Sequence, residues 1–248
     1  MEYKLEQEIE LDLIPSLLLE EADHMSASLY LAMGDFSIRN YTVSLILQAT
    51  KNVHASLPYL AINYLDRFLS LHRVQELKPC VMNLIAVSCI SLASKMMDNG
   101  FLLSMHGIVS DRSMVAKMEI VILGALKWRM RSITPFSFLG FFLSLMNVEV
   151  ALLREAVKAR AVELITISQK DAKMMSYKPS TIAATAVLRA CREVFPTGHC
   201  CFAKSMLHCE FVNVVDMLQC TREMVFAAET TADSTPVSVL EFDRESEI

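Results

Sequence analysis

Ala61-Ile62-Asn63-Tyr64-Leu65-Asp66-Arg67-Phe68-Leu69 decides how this chain is read. Its apolar residues do not alternate with period two, so the stretch is a helix and not a half-buried strand. Asp66 and Arg67 are adjacent charges inside that apolar run. They are read as structural groups that satisfy nearby helix ends, in preference to a proton-transfer site. Ser91-Leu92-Ala93-Ser94-Lys95 follows at the end of a second apolar run, where Asp98-Asn99-Gly100 is a clear stop signal.

Working outward, helical patterns cover 37–51, 56–71, 79–97, 111–128 and 135–147. Pro58 and Pro79 fall in first turns, where a missing N–H costs little. Thr134-Pro135 has the form of an N-cap followed by N1. A second set of helices is expected at 150–170, 179–194, 200–208 and 210–228. Lys178-Pro179 and Ala186-Val187 repeat Lys78-Pro79 and Ala86-Val87 at an interval of 100 residues. That fits two similar helical halves with a boundary near 132. The expected division is therefore an acidic lead over 1–35, a first domain over 36–132, a second over 133–228 and a tail over 229–248. The lead carries an apolar stripe, Leu13, Ile14, Leu17 and Leu18, read as a short helix packed on the body. The tail is rich in Glu, Asp, Ser and Thr and loses helical spacing, so disorder is expected there.

Composition agrees with helices. Among 248 residues, 53% are apolar, and only 6 Gly and 7 Pro punctuate them. The net charge of −5 and the lack of a Lys/Arg run argue against a nucleic-acid partner. The first 23 residues hold eight acids and one Lys, the wrong charge for a signal or transit peptide. Two charge-free runs, after Lys78 and after Arg131, are about 16 residues each, short of the ~20 that span a bilayer. They are read as buried helices, and no membrane association is expected. Seven Cys without a secretory leader read as reduced residues of a nucleocytoplasmic protein.

Several separated motifs carry a resemblance. They are the Leu60-to-Leu69 and Ser91-to-Lys95 segments, Met118-Glu119, Leu126-Lys127-Trp128-Arg129-Met130 and Ile133-Thr134-Pro135-Phe136-Ser137-Phe138. Tyr177-Lys178-Pro179-Ser180 and Ala183-Ala184 add to them in the second half. In this order they resemble the plant D-type cyclins, and the short chain with its acidic start is most similar to the sixth D-type subclass. The resemblance implies an all-α protein of two tandem cyclin-box folds, each of about five helices. It implies a subunit that binds and activates a cyclin-dependent kinase, promotes the G1/S transition and cell division, and works in the nucleus and cytoplasm. The implied partner is an A-type kinase, with kinase inhibitor proteins as further candidates. No cofactor, metal or catalytic residue is implied.

By the same resemblance Lys95 and Glu119 grip the kinase's regulatory helix, whose end presents unpaired backbone groups that suit charge-assisted bonds. Leu92 and Met96 share a helix face with Lys95, Leu123 lies one turn beyond Glu119, and Trp128 stands where cyclins place an aromatic contact. Arg39, Tyr41, Thr42, Leu45 and Gln48 correspond to a substrate-docking patch. Arg39 fills its basic position, but Leu45 replaces the usual Trp, and Tyr41 and Thr42 are atypical. The loop Met97-Asp98-Asn99-Gly100-Phe101 is short and lacks the usual acidic run. No Leu-x-Cys-x-Glu motif is present, so capture of a retinoblastoma-type pocket protein does not carry over.

Other chemistry has little support. His199, Cys200, Cys201, His208 and Cys209 lack a Cys-x-x-Cys pair, and neighbours on a helix point about 100° apart. Phosphate-cradling loops and a Gly-x-Ser-x-Gly elbow are absent from the sequence. Thr235-Pro236 matches the minimal target of proline-directed kinases, which makes Thr235 a candidate phosphosite. The rival expectations are a cyclin-fold transcription or scaffold protein, an all-helical enzyme, and a cyclin that binds its kinase but activates it weakly.

Overall fold

The computed structural model describes residues 13–25, 36–71, 78–97, 112–146 and 151–232, with side chains in the last stretch only to 224. Every regular element among these residues is helical. The lead contributes α1 (Ile14–Glu20), which runs into a 3₁₀ turn, Glu21–His24. The first domain holds α2 (Ser37–Ala49), α3 (Ser56–Leu71), α4 (Pro79–Met96) and α5 (Arg112–Ala125). The second holds α6 (Phe136–Ser144), α7 (Ala151–Ser168), α8 (Pro179–Val194), α9 (Pro196–Leu207) and α10 (Val214–Ala232).

Each domain is organised round one central helix, α4 in the first and α8 in the second. The two begin alike. Lys78 has φ −65° and ψ 143°, Lys178 has φ −64° and ψ 146°, and a proline opens the first turn of each. Residues before proline are pushed to this extended conformation, and proline at N1 loses no hydrogen bond. Ala86, Val87, Ala186 and Val187 are all buried, so the repeat marks the faces where neighbours pack on both sides. Helices α2, α3 and α5 surround α4, while α6, α7, α9 and α10 surround α8. Helix α4 is long and apolar enough to cross a membrane, yet it is buried from Met82 to Ser94 save Asn83 and Ser91.

Two apolar cores result. The first ends in sequence at Met130. The second takes in Ile133 and six residues of α6, together with Ile14 of the lead and Tyr59 of α3. Tyr59 meets Phe136 edge-on, 5.4 Å between ring centroids. The apolar stripe of the lead thus reaches the second core. Ile14 is buried and Leu17 and Leu18 pack against it, while Leu13 faces outward.

Several boundaries differ from the sequence expectation: α6 ends at Ser144 rather than 147, and α10 runs to Ala232, four residues into the segment expected to be a disordered tail. Helix α5 stops at Ala125, not 128, because Lys127 (φ 52°) and Trp128 (φ 61°) turn left-handed. Helix α9 starts four residues early, at Pro196, which needs no N–H partner. Helix α10 starts late, where Asn213 Oδ1 accepts from the N–H groups of Val215 and Asp216. Thr235 and the tail beyond 232, with the loop 98–101, lie outside the described residues.

Candidate functional site

The structure brings Lys95 and Glu119 together. Lys95 Nζ lies 2.8 and 2.6 Å from the two oxygens of Glu119, joining the end of α4 to the middle of α5. The lysine side chain is 62% exposed and that of the glutamate 12%. A pair this open to water is worth at most about 1 kcal/mol to folding. Its lysine remains available to a further acceptor, since an ammonium has three donors.

Exposed apolar residues lie on the same two helices and just beyond α5. Met96, Met114, Ile120, Val121 and Trp128 are exposed, Trp128 at 69%. Leu123 is half-buried against the first core. Leu92 corrects the expectation. It is buried in the first core and does not reach the surface on which Lys95 lies. The sequence reading missed Met114, Ile120 and Val121. The signal was present, since Ile120-Val121-Ile122 spans about 200° of a helix, more than one buried face requires.

Trp128 owes its position to the end of α5. Its N–H donates to Leu123 O at 2.9 Å, and that of Lys127 to Gly124 O at 3.0 Å. This is a Schellman cap, built on Lys127 where glycine is usual. Left-handed backbone costs a residue with a side chain about 1–2 kcal/mol, and two such residues follow one another here. The segment beyond is fastened to α3. Arg67 Nη2 donates to Arg129 O at 2.8 Å, Arg67 Nη1 to Ser132 Oγ at 3.2 Å, and the Tyr64 hydroxyl to Met130 O at 2.7 Å. Ser132 donates in turn to Asn63 Oδ1 at 3.0 Å. Burial pulls the Arg67 guanidinium below its usual range, and Arg129 adds to the effect.

The substrate-docking assignment of Arg39 is overturned. Its side chain is 1% exposed and forms a two-bond fork with Asp66, at 2.8 and 3.1 Å. Its remaining donors reach Gln169 O at 2.9 Å and Lys170 O at 3.2 Å, just past the end of α7. Arg39 thus clasps the two domains, where the low-dielectric interior favours a planar fork over water. Burial raises the Asp66 carboxyl above its ordinary value, and Arg39 opposes that. Thr42 is also buried and spends its hydroxyl on Ile38 O. Tyr41 and Gln48 are exposed and Leu45 half-buried, so α2 offers no basic docking group at this position.

A second clasp was not legible in the sequence. Glu21 of the lead is buried and accepts from Ser180 N at 2.9 Å and Ser180 Oγ at 2.8 Å, capping α8 from 159 residues away. Burial raises its carboxyl, while the Ser180 bonds and Lys178 oppose the rise. Among the described residues no group of three or more His, Cys, Asp or Glu is placed to hold a metal.

Two clasped helical bundles, with a charge pair whose cation is open to solvent and exposed apolar residues on the same helices, define a helical docking subunit. The family model for the cyclin N-terminal domain matches residues 13–131, and that for the cyclin C-terminal domain matches 133–240. The chain belongs to the cyclin family, and its relatives place it among the plant D-type cyclins, most like the sixth subclass. It is 39% identical over 243 residues to the putative cyclin-D6-1 of Arabidopsis thaliana, covering 91% of this chain and 80% of that one. With cyclin-D6-1 of Oryza sativa subsp. japonica the identity is 37%, over 76% of this chain and 64% of the relative. With cyclin-D1-1 of Arabidopsis thaliana it is 36%, and the match spans about half (49%) of that longer protein. A viral cyclin from herpesvirus saimiri shares the fold, with a TM-score of 0.66 at 16% identity over 87% of this chain and 97% of that one. Cyclins are regulatory subunits and not enzymes, so the family assigns no catalytic residues here.

Proposed function

We propose that this cyclin binds a cyclin-dependent kinase of the A-type through the α4–α5 face and switches it on at the G1/S transition, in the nucleus. The observation that carries the proposal is the Lys95–Glu119 pair, bidentate yet open on its lysine side, with exposed Met96 next to Lys95 on α4. Apolar residues beside a polar pair belong to the anatomy of a specific interface. The end of a kinase helix brings unpaired N–H and C=O groups, which Glu119 and Lys95 are chemically matched to meet. The cyclin supplies contact energy that holds the kinase's regulatory helix in its active place and completes the kinase's own Lys–Glu pair. It contributes no reacting group.

One observation favours a second reading, a cyclin that binds its kinase but recruits substrates and inhibitors poorly. Arg39 is turned inward, so the first helix lacks its basic docking group. A pull-down of the full chain with an A-type plant kinase, followed by histone phosphorylation, tests both. Binding and activity that vanish in Lys95→Glu support activation through this face. Binding without activity supports the second reading. Undiminished activation by Lys95→Glu would sink the site.

A further inference from the structure

We infer that Arg67 and Tyr64 of α3 are positioning residues for kinase docking, because they latch the segment that presents Trp128. The inference rests on the docking role proposed above for the α4–α5 face. Trp128 projects from the turn that opens the connection between α5 and α6, not from a helix, so the helix ladder alone does not fix it. Two left-handed residues in succession need restraint from outside, and hydrogen bonds on both sides of Trp128 supply it. The cap bonds tie Trp128 N to Leu123 O on one side. On the other, Arg129 O and Met130 O, the next two carbonyls in sequence, accept from Arg67 and Tyr64 at 2.8 and 2.7 Å. A tight turn, Met130 N to Trp128 O at 3.0 Å, joins the two restraints.

Arg67 suits this task and little else. It is buried, and its hydrogen bonds go to neutral oxygens, Arg129 O and Ser132 Oγ; among the described residues no carboxylate pairs with it. Asp66, its neighbour in sequence, faces Arg39 instead. A guanidinium buried without a counter-charge is costly, and a loss of this kind is tolerated where several carbonyls must be held at once. Tyr64 is fully buried and aims its hydroxyl at the same segment. Docking an aromatic residue whose backbone is already held in place avoids part of the ordering cost a free one would incur.

The test uses the sole tryptophan of the chain as its own reporter. Fluorescence anisotropy decay of Trp128 is recorded on the full-length protein, wild type against Tyr64→Phe and Arg67→Lys. Kinase affinity is measured on the same samples. The expected result is a wider local motion of Trp128 in both variants and kinase affinity lower by about five- to tenfold, with Trp128→Ala lower by about thirtyfold as the limit. Near-wild-type thermal midpoints for Tyr64→Phe would separate positioning from general damage. Should Arg67→Lys fail to fold, Tyr64→Phe decides alone. Trp128 motion unchanged in Tyr64→Phe overturns the latch. If the wild-type chain binds no kinase, the docking role falls, but the anisotropy still decides whether α3 holds Trp128.

Discussion

Arg39–Asp66 and Lys95–Glu119 are both forks between a cation and a carboxylate, yet they do opposite work. The first is sealed where the two domains meet, and its spare donors are consumed by Gln169 O and Lys170 O. The second leaves its cation in water, beside exposed Met96. A buried pair contributes specificity and punishes the loss of either member, whereas an exposed pair contributes little to folding and stays free for a partner. Exposure of the cation, more than the presence of the pair, separates a clasp from a docking site.

The sharpest way to break the contrast is Arg39→Met. It should cost about 3–5 kcal/mol of folding stability by stranding Asp66, read in urea titrations. A small cost joined to lost substrate recruitment would restore Arg39 as a docking residue. Lys95→Glu should leave the urea midpoint within about 1 kcal/mol, while weakening kinase binding by about 2–5 kcal/mol, measured calorimetrically. Equal losses in both assays would erase the distinction between the pairs. Glu21→Ala should cost about 1–3 kcal/mol, because the buried Ser180 N–H loses its acceptor. Unaltered protection of the Ser180 amide in hydrogen exchange would deny that clasp.

Acid should act more weakly, through His24. Burial first, then the charge of Arg67, hold this imidazole below its ordinary 6.5, with Arg131 in the same sense and Asp23 and Glu20 against. As pH falls through 6.5 the unfolded chain takes up the proton first, so stability is full above that value and declines below it. His24→Gln should flatten this decline in thermal scans between about pH 7 and 5. The smallest effect is expected of Lys127→Gly. Relief of about 1–2 kcal/mol of backbone strain is offset by about 0.4–1 kcal/mol of unfolded-state entropy, leaving a slight rise in melting temperature. A fall would show that Lys127 holds α5 by its side chain.

The helices and the repeat were legible because periodicity and proline placement are local signals. Lys78-Pro79 and Lys178-Pro179 announced both central helices, and the backbone angles of the two lysines agree within a few degrees. Asp66-Arg67 was rightly read as structural, although only Arg67 meets backbone carbonyls directly. What the sequence concealed is long-range pairing. Nothing local marks that Arg39 finds Gln169 O, or Glu21 Ser180, because such partners depend on how two domains close on one another. Leu92 illustrates a subtler limit. Helical spacing groups it with Lys95 and Met96, but a residue three positions away lies on the shoulder of the face, and here the shoulder is core. The end of α5 was misjudged because Lys127 and Trp128 are poor left-handed residues by local preference, and tertiary contacts prevail.

The capping of α8 by Glu21 has a bearing on synthesis. The carboxylate emerges from the ribosome 159 residues before the serine it must meet. At ~5–20 residues per second that is a wait of roughly 8–30 s. Throughout it the lead has no helix to cap, and Ile14 has no second core to enter. The first domain can collapse round α4 during this interval, but its junction surface, with Arg39 already forked to Asp66, stays open. The nascent chain therefore passes through a half-closed form whose apolar junction is a natural target for chaperones.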